Sequence, residues 1–465
     1  MGEADVIFER KAYRHLLDWK KESHGQTAML VEGARRVGKT TLVKEFAARE
    51  YGSTLYIDFG HVDKQVLDIF RNHCGDTPVL LRMLQLYFGV ELHERDSLVV
   101  FDEVQRFPLA REEIKHLVAD GRFDYVETGS LVSIKKNSES IVIPSEEERI
   151  RLNPLDFEEY LWACGRRMLA DEISRSRESL EPLPPSIHNL ACRLFDEYML
   201  VGGMPRPVAV FVATGDFARC DKEKRLILRL YDEDIQKFGG TCADKARAIW
   251  RQIPGQLSKG SKRFMLSSVS KSARYRGFES ALSWLEDSHT VNFCRRCTDP
   301  NVGFRLTEDE GNFKCYVADT GLLVSHAFAD GADVRQVYRA LQFGEVSINR
   351  GMFVENVVAQ QLRAGGRELF YHTWEESSVG PDGSPKKPRP REIDFLITKG
   401  FSDAAGKLRV CPVEVKSGKR YSTVSLDDFK KRWPKRVGDE IVLHPRQLKV
   451  EGHRTYLPLY MSYCI

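Results

Sequence analysis

Short apolar runs alternate with helical periodicity along the first third of the chain. The first run, residues 27–31, leads into a glycine-containing turn and then a helix in which Val43 and Phe46 face a core. Strand-like runs follow at residues 53–59 and 98–101, and the second is continuously apolar, as in a strand buried on both faces. This strand–helix–strand order predicts a parallel α/β sheet.

The turn after the first run has the spacing of a phosphate-binding loop. Gly33 is followed after four residues by Gly38, Lys39 and Thr40. Glycines let successive N–H groups and the next helix N-terminus point at one anion, while the lysine reaches the β/γ-phosphates and the threonine hydroxyl holds Mg2+. The predicted nucleotide-binding residues of the loop are Gly33, Ala34, Arg35, Arg36, Val37, Gly38, Lys39, Thr40 and Thr41. A glycine-rich turn without a ligand is the alternative.

A second signature follows the continuously apolar strand. Asp102 and Glu103 emerge at its carboxyl end, where α/β sheets bind ligands. We expect Asp102 to join the Mg2+ shell and Glu103 to orient or deprotonate the attacking water. The next strand-like run ends in Thr128-Gly129-Ser130, where Thr128 or Ser130 is a candidate sensor of the γ-phosphate and a Gly-Ser turn is the alternative.

These features in this order resemble the AAA+ superfamily of P-loop ATPases. Further sequence blocks resemble a family of bacterial and archaeal ATPases whose C-terminal half is a domain of unknown function related to restriction-type nucleases. The blocks are GARRVGKTTL, DEVQRFP, ETGSL, NPLDFEEYL, YMLVGGMP, YVADTGLL, EIDFLI and PVEVKSG. The resemblance covers nearly the whole chain and implies ATP and Mg2+ as cofactors. Relatives tend to carry Gly-Arg where this chain has residues 145–149, so Arg149 and Arg151 are only candidates for an arginine finger or sensor.

The middle of the chain is helical and basic. Helical spacing begins after Pro154, where AAA+ proteins carry a small lid, and the later order of helices and two strand-like runs fits a winged helix. Between residues 259 and 276 there are basic residues and no acid, namely Lys259, Lys262, Arg263, Lys271, Arg274 and Arg276. Such a cluster can bind DNA phosphates, although a solvated face or a protein-docking winged helix explains it equally well.

The last 130 residues contain a second constellation. Glu355 lies on the apolar face of a helix, Asp394 interrupts an apolar strand, and Glu414 and Lys416 end another strand. This order resembles the PD-(D/E)xK nuclease core, including Holliday-junction resolvases. The resemblance implies that Asp394 and Glu414 chelate Mg2+, that Glu355 completes the metal shell, and that Lys416 positions or polarises water. Cleavage and binding without cleavage both stay open, because related domains often keep the scaffold alone.

Composition bounds the remaining possibilities. The chain has 465 residues and a net charge of +3, which neither demands nor excludes nucleic acid. No charge-free apolar run is long enough to cross a bilayer and the first residues are acidic, so we expect a cytoplasmic protein. The CxxC pair Cys294 and Cys297 indicates either a metal or redox role or reduced thiols. The Pro/Gly/Ser-rich stretch 375–390 is expected to be a flexible loop.

We therefore predict an α/β protein with an AAA+ P-loop core (1–153), a helical lid (154–212), a winged-helix-like connector (213–330) and a C-terminal restriction-endonuclease-like α/β domain (331–465). We expect ATP hydrolysis and a nucleic-acid partner for the middle and C-terminal domains. The rival is a nucleotide-dependent switch or scaffold whose C-terminal domain binds a protein and cleaves nothing. The oligomeric state stays open, and a metabolic kinase is disfavoured because no small-molecule acceptor motif is visible.

Overall fold

The computed structural model describes residues 6–129, 146–259, 263–270, 274–328, 336, 338–340, 350–379, 385–400 and 408–465. Ser130, Lys262 and Lys271 lie outside these ranges. The chain forms two compact units. The first comprises residues 1–153, 234–240 and 283–290, and the second comprises residues 154–233, 241–282 and 291–465.

The first unit is built on a five-stranded sheet whose pairings are all parallel, in the order β2-β3-β4-β1-β5. Its strands are β1 (Ala28–Glu32), β2 (Ser53–Asp58), β3 (Ser97–Asp102), β4 (Asp124–Gly129) and β5 (Glu147–Arg151). Its helices are α1 (Lys11–Ser23), α2 (Lys39–Glu50), α3 (Lys64–His73), α4 (Thr77–Phe88) and α5 (Pro108–Asp120). The predicted parallel α/β sheet is thus confirmed. Because β4 lies between β1 and β3, the carboxyl ends of these three strands meet at one edge.

An aromatic cluster anchors β3 and hence the acidic residue at its end. Phe101 of β3 packs against Phe59 and Phe70, with ring centroids 5.6 and 5.7 Å away, and Phe107 stacks on Phe59 at 5.5 Å. These four rings belong to the core that α3, α4 and α5 cover. Burying each ring contributes about 1.5–3 kcal/mol, so the strand end is held firmly in place.

The second unit is organised around an eight-stranded mixed sheet in the order β12-β13-β11-β10-β9-β8-β6-β7. Its strands are β6 (Val291–Cys297), β7 (Glu308–Val317), β8 (Leu369–Val379), β9 (Pro385–Gly400), β10 (Leu408–Val415), β11 (Glu440–His444), β12 (Lys449–Glu451) and β13 (Arg454–Pro458). The helices that follow β5 along the chain are α6 (Phe157–Ala163), α7 (Arg167–Ser179), α8 (Pro185–Val201), α9 (Pro205–Thr214), α10 (Phe217–Phe238), α11 (Ala243–Leu257), α12 (Glu279–Asp287), α13 (Thr320–Ala327), α14 (Arg350–Ala364) and α15 (Val424–Arg432).

The expected winged helix is not confirmed by the strand pairing. Strands β6 and β7 do form an antiparallel hairpin, as a wing would. However, β6 also pairs in parallel with β8, so the hairpin continues the large sheet of the second unit. The helices of the expected lid, α6 to α9, belong to this second unit as well. The domain boundaries given above stay a prediction.

The stretch 375–390 is not a flexible loop over most of its length. Strand β8 continues to Val379 and β9 begins at Pro385, and the two remain paired out to these residues. The composition suggested a loop, but the ladder that starts in the buried parts of β8 and β9 continues outward along both chains. In the described parts of this stretch, backbone hydrogen bonding therefore overrides the low strand propensity of the prolines.

Two of the sequence blocks meet in the core of the second unit. Asp319, just before α13, accepts hydrogen bonds from the backbone N–H groups of Gly203 (2.5 Å) and Leu322 (2.8 Å). A Cβ at Gly321 would lie 2.5 Å from the carbonyl carbon of Val201. The glycines of VGGMP and DTGLL therefore allow α13 to approach the end of α8 closely.

The CxxC pair consists of core thiols. Cys294 and Cys297 are buried, and none of the ten cysteines, which all lie in the described ranges, forms a disulfide bond. The Sγ atom of Cys297 lies 3.1 Å from the carbonyl oxygen of Asp299 and 3.1 Å from the hydroxyl of Thr307. These contacts favour the reduced-thiol alternative.

Candidate functional site: a phosphate-type loop and a carboxylate cluster

The loop between β1 and α2 depends on its two glycines. Gly38 has φ of 102°, in the left-handed region, at the start of α2. A Cβ on Gly33 would overlap the carbonyl oxygen of Leu152 and lie 3.1 Å from a Val37 methyl group. The loop is also braced by Arg10, whose guanidinium donates to the carbonyl oxygens of Val37 (3.2 Å) and Asn153 (2.5 Å). Sequence analysis did not identify this arginine, because it lies far upstream of the motif.

Lys39 folds its side chain across the loop. Its Nζ donates to the carbonyl oxygens of Gly33 (3.0 Å) and Ala34 (3.2 Å), and the residue is only 7% exposed. Burial lowers the pKa of Lys39, while the carboxylates of Glu103 and Asp102 oppose that shift. Anionic phosphates placed beside this ammonium would favour its charged form further.

Asp102 gathers hydroxyl groups from three different elements. Thr40, at the start of α2, donates to its two carboxylate oxygens at 3.1 and 3.0 Å. Tyr56 of β2 and Thr128 of β4 each donate a hydroxyl to the same carboxylate. The Thr40 hydroxyl and the Asp102 carboxylate are hard oxygen ligands lying side by side at the sheet edge, so this donor set fits Mg2+. Tyr56 was not identified from the sequence, although it stands two residues before the end of β2.

Glu103 is held in an unusual conformation by its neighbours. Its φ is 55°, in the left-handed region, which costs a residue with a Cβ about 1–2 kcal/mol. The Glu103 backbone N–H donates to the Thr128 hydroxyl (3.2 Å), and Gln105 Nε2 donates to a Glu103 carboxylate oxygen (2.6 Å). Thr128 therefore connects Asp102 and Glu103 through hydrogen bonds, and Gln105 orients the Glu103 carboxylate.

The candidate arginines of the first unit have acidic partners. Arg149 of β5 pairs with Glu147 of the same strand at 2.7 Å. Arg35 of the loop pairs with Asp234 at 2.7 Å. Arg149 is therefore already paired within its own strand, and Arg149 and Arg151 stay only candidates for a sensor or finger.

The C-terminal constellation is centred on a lysine that sequence analysis missed. Lys314 of β7 places its Nζ 3.0 Å from Glu355 Oε1, 2.6 Å from Glu392 Oε1 and 3.8 Å from Asp394 Oδ1. We call these four residues the carboxylate cluster. A charge inside the apolar run FKCYV was the available signal for Lys314. Glu392 was detectable because it stands two residues before Asp394, on the same face of β9.

The lysine of the cluster is fully buried and fully surrounded. Lys314 is 0% exposed and lies 5.1 Å from the ring centroid of Tyr371. The Tyr316 hydroxyl donates to the Glu355 oxygen that also faces Lys314. Burial alone lowers the pKa of Lys314, but the charges of Glu355 and Glu392 outweigh it and the net pKa is raised well above its ordinary value. The ammonium is therefore charged at neutral pH.

The remaining predicted residues lie on β9, on β10 and directly after β10. Glu414 is buried, and its Oε1 pairs with the Lys416 Nζ at 2.5 Å. Burial raises the pKa of Glu414, with Lys416 opposing the shift. Asp394 Oδ2 accepts a hydrogen bond from the Val415 backbone N–H at 2.8 Å. Glu355 and Asp394 thus share Lys314, whereas Glu414 has its own lysine. Within the described ranges, no three His, Cys, Asp or Glu side chains are grouped so as to hold a metal ion.

Comparison with known proteins identifies the first unit more closely. Residues 25–161 match a family model described as an AAA domain, and residues 192–333 match a domain of unknown function, DUF8612. The AAA match contains the whole Gly33–Thr40 loop and the Asp102-Glu103 pair. The first unit carries a P-loop AAA+ domain. The comparison with curated proteins found no match.

Several solved structures show distant similarity. The Orc1 protein of Aeropyrum pernix, solved in complex with DNA, has 14% identity and a TM-score of 0.28, over 72% of this chain and 95% of that one. Cdc6p of Pyrobaculum aerophilum has 12% identity and a TM-score of 0.28, over 74% and 97%. A Signal Transduction ATPase with Numerous Domains from Pyrococcus horikoshii has 11% identity and a TM-score of 0.26, over 78% and 48%. Similarity at these TM-scores carries no argument about this chain.

Among the described residues, no helix is a candidate for insertion into a membrane. None of their helices combines the length and the apolar character that crossing a bilayer requires.

Proposed function

We propose that the first unit binds and hydrolyses ATP with Mg2+. The observation that carries the proposal is the convergence of Thr40, Thr128 and Glu103 around Asp102 at the carboxyl edge of the parallel sheet. A hydroxyl, a carboxylate and a second carboxylate are the groups that nucleotide hydrolysis requires at that edge. The AAA domain match over the same residues supports it.

Each residue of the site has a role in this proposal. The backbone N–H groups from Gly33 to Thr41 cradle the phosphates, and Lys39 neutralises the β/γ-phosphate charge. Thr40 and Asp102 hold Mg2+, which offsets phosphate charge when bound. Glu103 orients the attacking water and accepts its proton, while Thr128 lies where a hydroxyl can sense the γ-phosphate.

The decisive experiment compares ATP turnover in matched lysine variants. Lys39→Ala should lower turnover by about 10²-fold or more, because it removes the cation nearest the transferring phosphate. Glu103→Gln should retain ATP binding and lose turnover. Lys115→Ala, an exposed lysine on α5, serves as the control and should behave as the wild type. Unchanged turnover in Lys39→Ala would refute the proposal.

For the second unit, the element order supports a PD-(D/E)xK-like scaffold. Helix α14 carries Glu355, β8 and β9 lead to Asp394, β10 carries Glu414, and α15 and β11 follow. The sequence left cleavage and binding without cleavage open as alternatives for such a domain. Glu355 and Asp394 each place an oxygen beside the ammonium of Lys314, and Glu414 pairs with Lys416, so the predicted ligands face protein cations and do not fit Mg2+. The arrangement favours a domain that binds without cleaving.

A basic cavity in the second unit favours nucleic acid as the bound partner. It has a volume of about 710 Å3 and is lined by Lys419, Arg420, Tyr421, Thr423, His444, Arg446, Gln447, Leu448, Lys449, Glu451 and Tyr456. The Tyr421 hydroxyl is 2.7 Å from His444 Nδ1, and burial lowers the pKa of His444 to about 4, so the imidazole is neutral. Four cations with two tyrosine rings are the groups that bind phosphates and stack bases.

Binding of a fluorescent single-stranded oligonucleotide tests this second proposal. The double substitution Lys419→Ala/Arg420→Ala should weaken binding by about 10-fold or more, because each cation neutralises a phosphate. Lys431→Ala, an exposed lysine on α15 that does not line the cavity, is the control. If the double variant binds as tightly as the control, the cavity is not the site. Capture of a protein with no oligonucleotide binding would favour the switch or scaffold alternative.

The domain assignment completes the proposal. We assign residues 1–153 to the ATPase core, 154–212 to a helical lid, 213–330 to a connector and 331–465 to the nuclease-like domain. Limited proteolysis with and without ATP would test the lid, because nucleotide-dependent protection is expected within residues 154–212. Protection that does not change with ATP would argue against a lid.

A further inference from the structure

We propose that Lys314 is the built-in counter-ion of the carboxylate cluster and takes the place that a divalent cation occupies in a metal-dependent nuclease. This inference rests on the nuclease-like scaffold proposed above and is independent of the ATP site. The C-terminal site thus keeps the carboxylates and their geometry, and Lys314 supplies the positive charge that a metal ion would otherwise provide.

The first support is that lysine and metal would compete for the same atoms. Glu355 Oε1, Glu392 Oε1 and Asp394 Oδ1 all face the Nζ of Lys314, at 3.0, 2.6 and 3.8 Å. Mg2+ binds oxygen at about 2.0–2.1 Å in near-octahedral geometry. An ion bound to these oxygens would therefore lie beside a buried ammonium, where like charges repel strongly because water is excluded.

The second support is the burial of Lys314 and of the residues next to it in the hairpin. It is fully buried, and its partner across the hairpin, Cys294 of β6, is also 0% exposed. Its chain neighbours Phe313 and Cys315 are buried as well. The Lys314 ammonium therefore lies in a buried part of the sheet, where its charge requires the nearby carboxylates.

The third support is the way in which the carboxylates are divided between two lysines. Lys314 serves Glu355, Glu392 and Asp394, while Lys416 pairs with Glu414 at 2.5 Å. Asp394 also uses its other oxygen to accept the Val415 N–H. Each predicted metal ligand therefore has at least one oxygen bound to a cation or a donor of the protein, and the buried Glu414 Oε2 is the oxygen that has no hydrogen-bond partner among the described residues.

Mn2+ titration of the full-length, nucleotide-free protein provides the first test. Wild type and Asp394→Asn should bind Mn2+ with the same stoichiometry and affinity by calorimetry, because Asp394 holds no metal. A Mn2+ site present in the wild type and lost in Asp394→Asn would overturn the proposal. This comparison does not require any change at Lys314.

Removing the lysine provides the second test. Lys314→Met keeps most of the length of the side chain and removes its charge, so it should gain a Mn2+ site at the carboxylate cluster that the wild type lacks. Mn2+ should also raise its unfolding temperature, and Lys314→Met/Asp394→Asn should lose both effects. Lys314→Arg retains a cation and should gain no metal. A folded Lys314→Met that gains no Mn2+ site would refute the inference; if that variant does not fold, the Asp394→Asn comparison decides.

These outcomes are separable from those of the proposed function. A protein that binds no oligonucleotide would refute the proposed nucleic-acid partner and leave the metal titration unchanged. A protein that does not hydrolyse ATP would also leave the metal titration unchanged, because the titration contains no nucleotide.

Discussion

At the scale of single residues, burial sets the chemistry of the charged groups and distant residues supply their partners. Lys314 stays charged because three carboxylates from α14 and β9 surround it. Lys39 has a lowered pKa because its loop buries it against carbonyl oxygens. Glu127 of β4 is a third buried ionisable group, and its raised pKa leads to a prediction about pH.

Glu127 makes the stability of the first unit depend on pH. It is 0% exposed, and among the described residues neither of its carboxylate oxygens has a hydrogen-bond donor. Arg111 is 4.0 Å away but bonds Glu147 at 2.6 Å. Burial raises the pKa of Glu127 well above its ordinary value, with Arg111 opposing the shift. Its stabilising contribution is therefore complete below the unfolded pKa and is lost as pH rises through the folded pKa.

We predict that Glu127→Gln stabilises the protein at neutral and higher pH. The neutral amide avoids the cost of ionising a buried acid, so the gain should be roughly 1–3 kcal/mol and should shrink toward pH 4. Thermal unfolding between pH 4 and pH 9 measures it. Glu148→Gln, an exposed neighbour on β5, should change stability by less than about 0.5 kcal/mol. A loss of stability in Glu127→Gln at pH 8 would show that the carboxylate is ionised and paired with Arg111.

At the scale of elements, sequence blocks that resemble a family need not carry its chemistry. The blocks VGGMP and DTGLL bring α8 and α13 together through Asp319, which is fully buried and accepts two backbone N–H groups. Gln360 of α14 extends the network by accepting from the Thr320 hydroxyl and donating to Tyr198. These sequence blocks therefore pack α8 against α13. Their glycines are needed because they let the two helices approach closely, and not because they bind a ligand.

We predict that Gly321→Ala destabilises the second unit. Its Cβ would lie 2.5 Å from the Val201 carbonyl carbon and 2.6 Å from the Gly202 Cα, so α13 must shift at a cost of about 1–3 kcal/mol or more. Urea denaturation followed by tryptophan fluorescence reports the change. Gly255→Ala, a helical glycine of α11 with open space around its Cβ, should be neutral or slightly stabilising. Equal midpoints for the two variants would contradict the close approach.

At the scale of the whole molecule, the positions of the charged residues indicate nucleic-acid binding better than the net charge does. The chain carries 70 basic and 67 acidic residues, so its long-range field is weak. Not every basic side chain of the middle region is at the surface. Lys224 of the basic helix α10 is fully buried and donates to the Leu200 carbonyl oxygen at 2.6 Å. The cations that line the cavity are therefore better candidates than the basic composition of α10.

This placement predicts a modest salt dependence for oligonucleotide binding. Each phosphate contact contributes about −0.7 to the slope of log K against log salt for a single strand. Lys419→Ala and Arg420→Ala should each reduce the steepness by about that amount, and Lys431→Ala should leave it unchanged. Fluorescence anisotropy at a series of KCl concentrations measures the slopes. Equal slopes in all variants would place the phosphate contacts elsewhere in the protein.

The sequence by itself determined the parallel sheet of the first unit, the glycine loop between β1 and α2, and the acidic pair after β3. Local periodicity, glycine spacing and strand burial are encoded in neighbouring residues, so they can be read along the chain. Only the tertiary structure placed Tyr56 and Thr128 on Asp102, joined the β6–β7 hairpin to the C-terminal sheet, and set Lys314 among carboxylates 41, 78 and 80 residues downstream of it. Such contacts depend on which strands become neighbours, and the long-range packing that decides this leaves no local pattern.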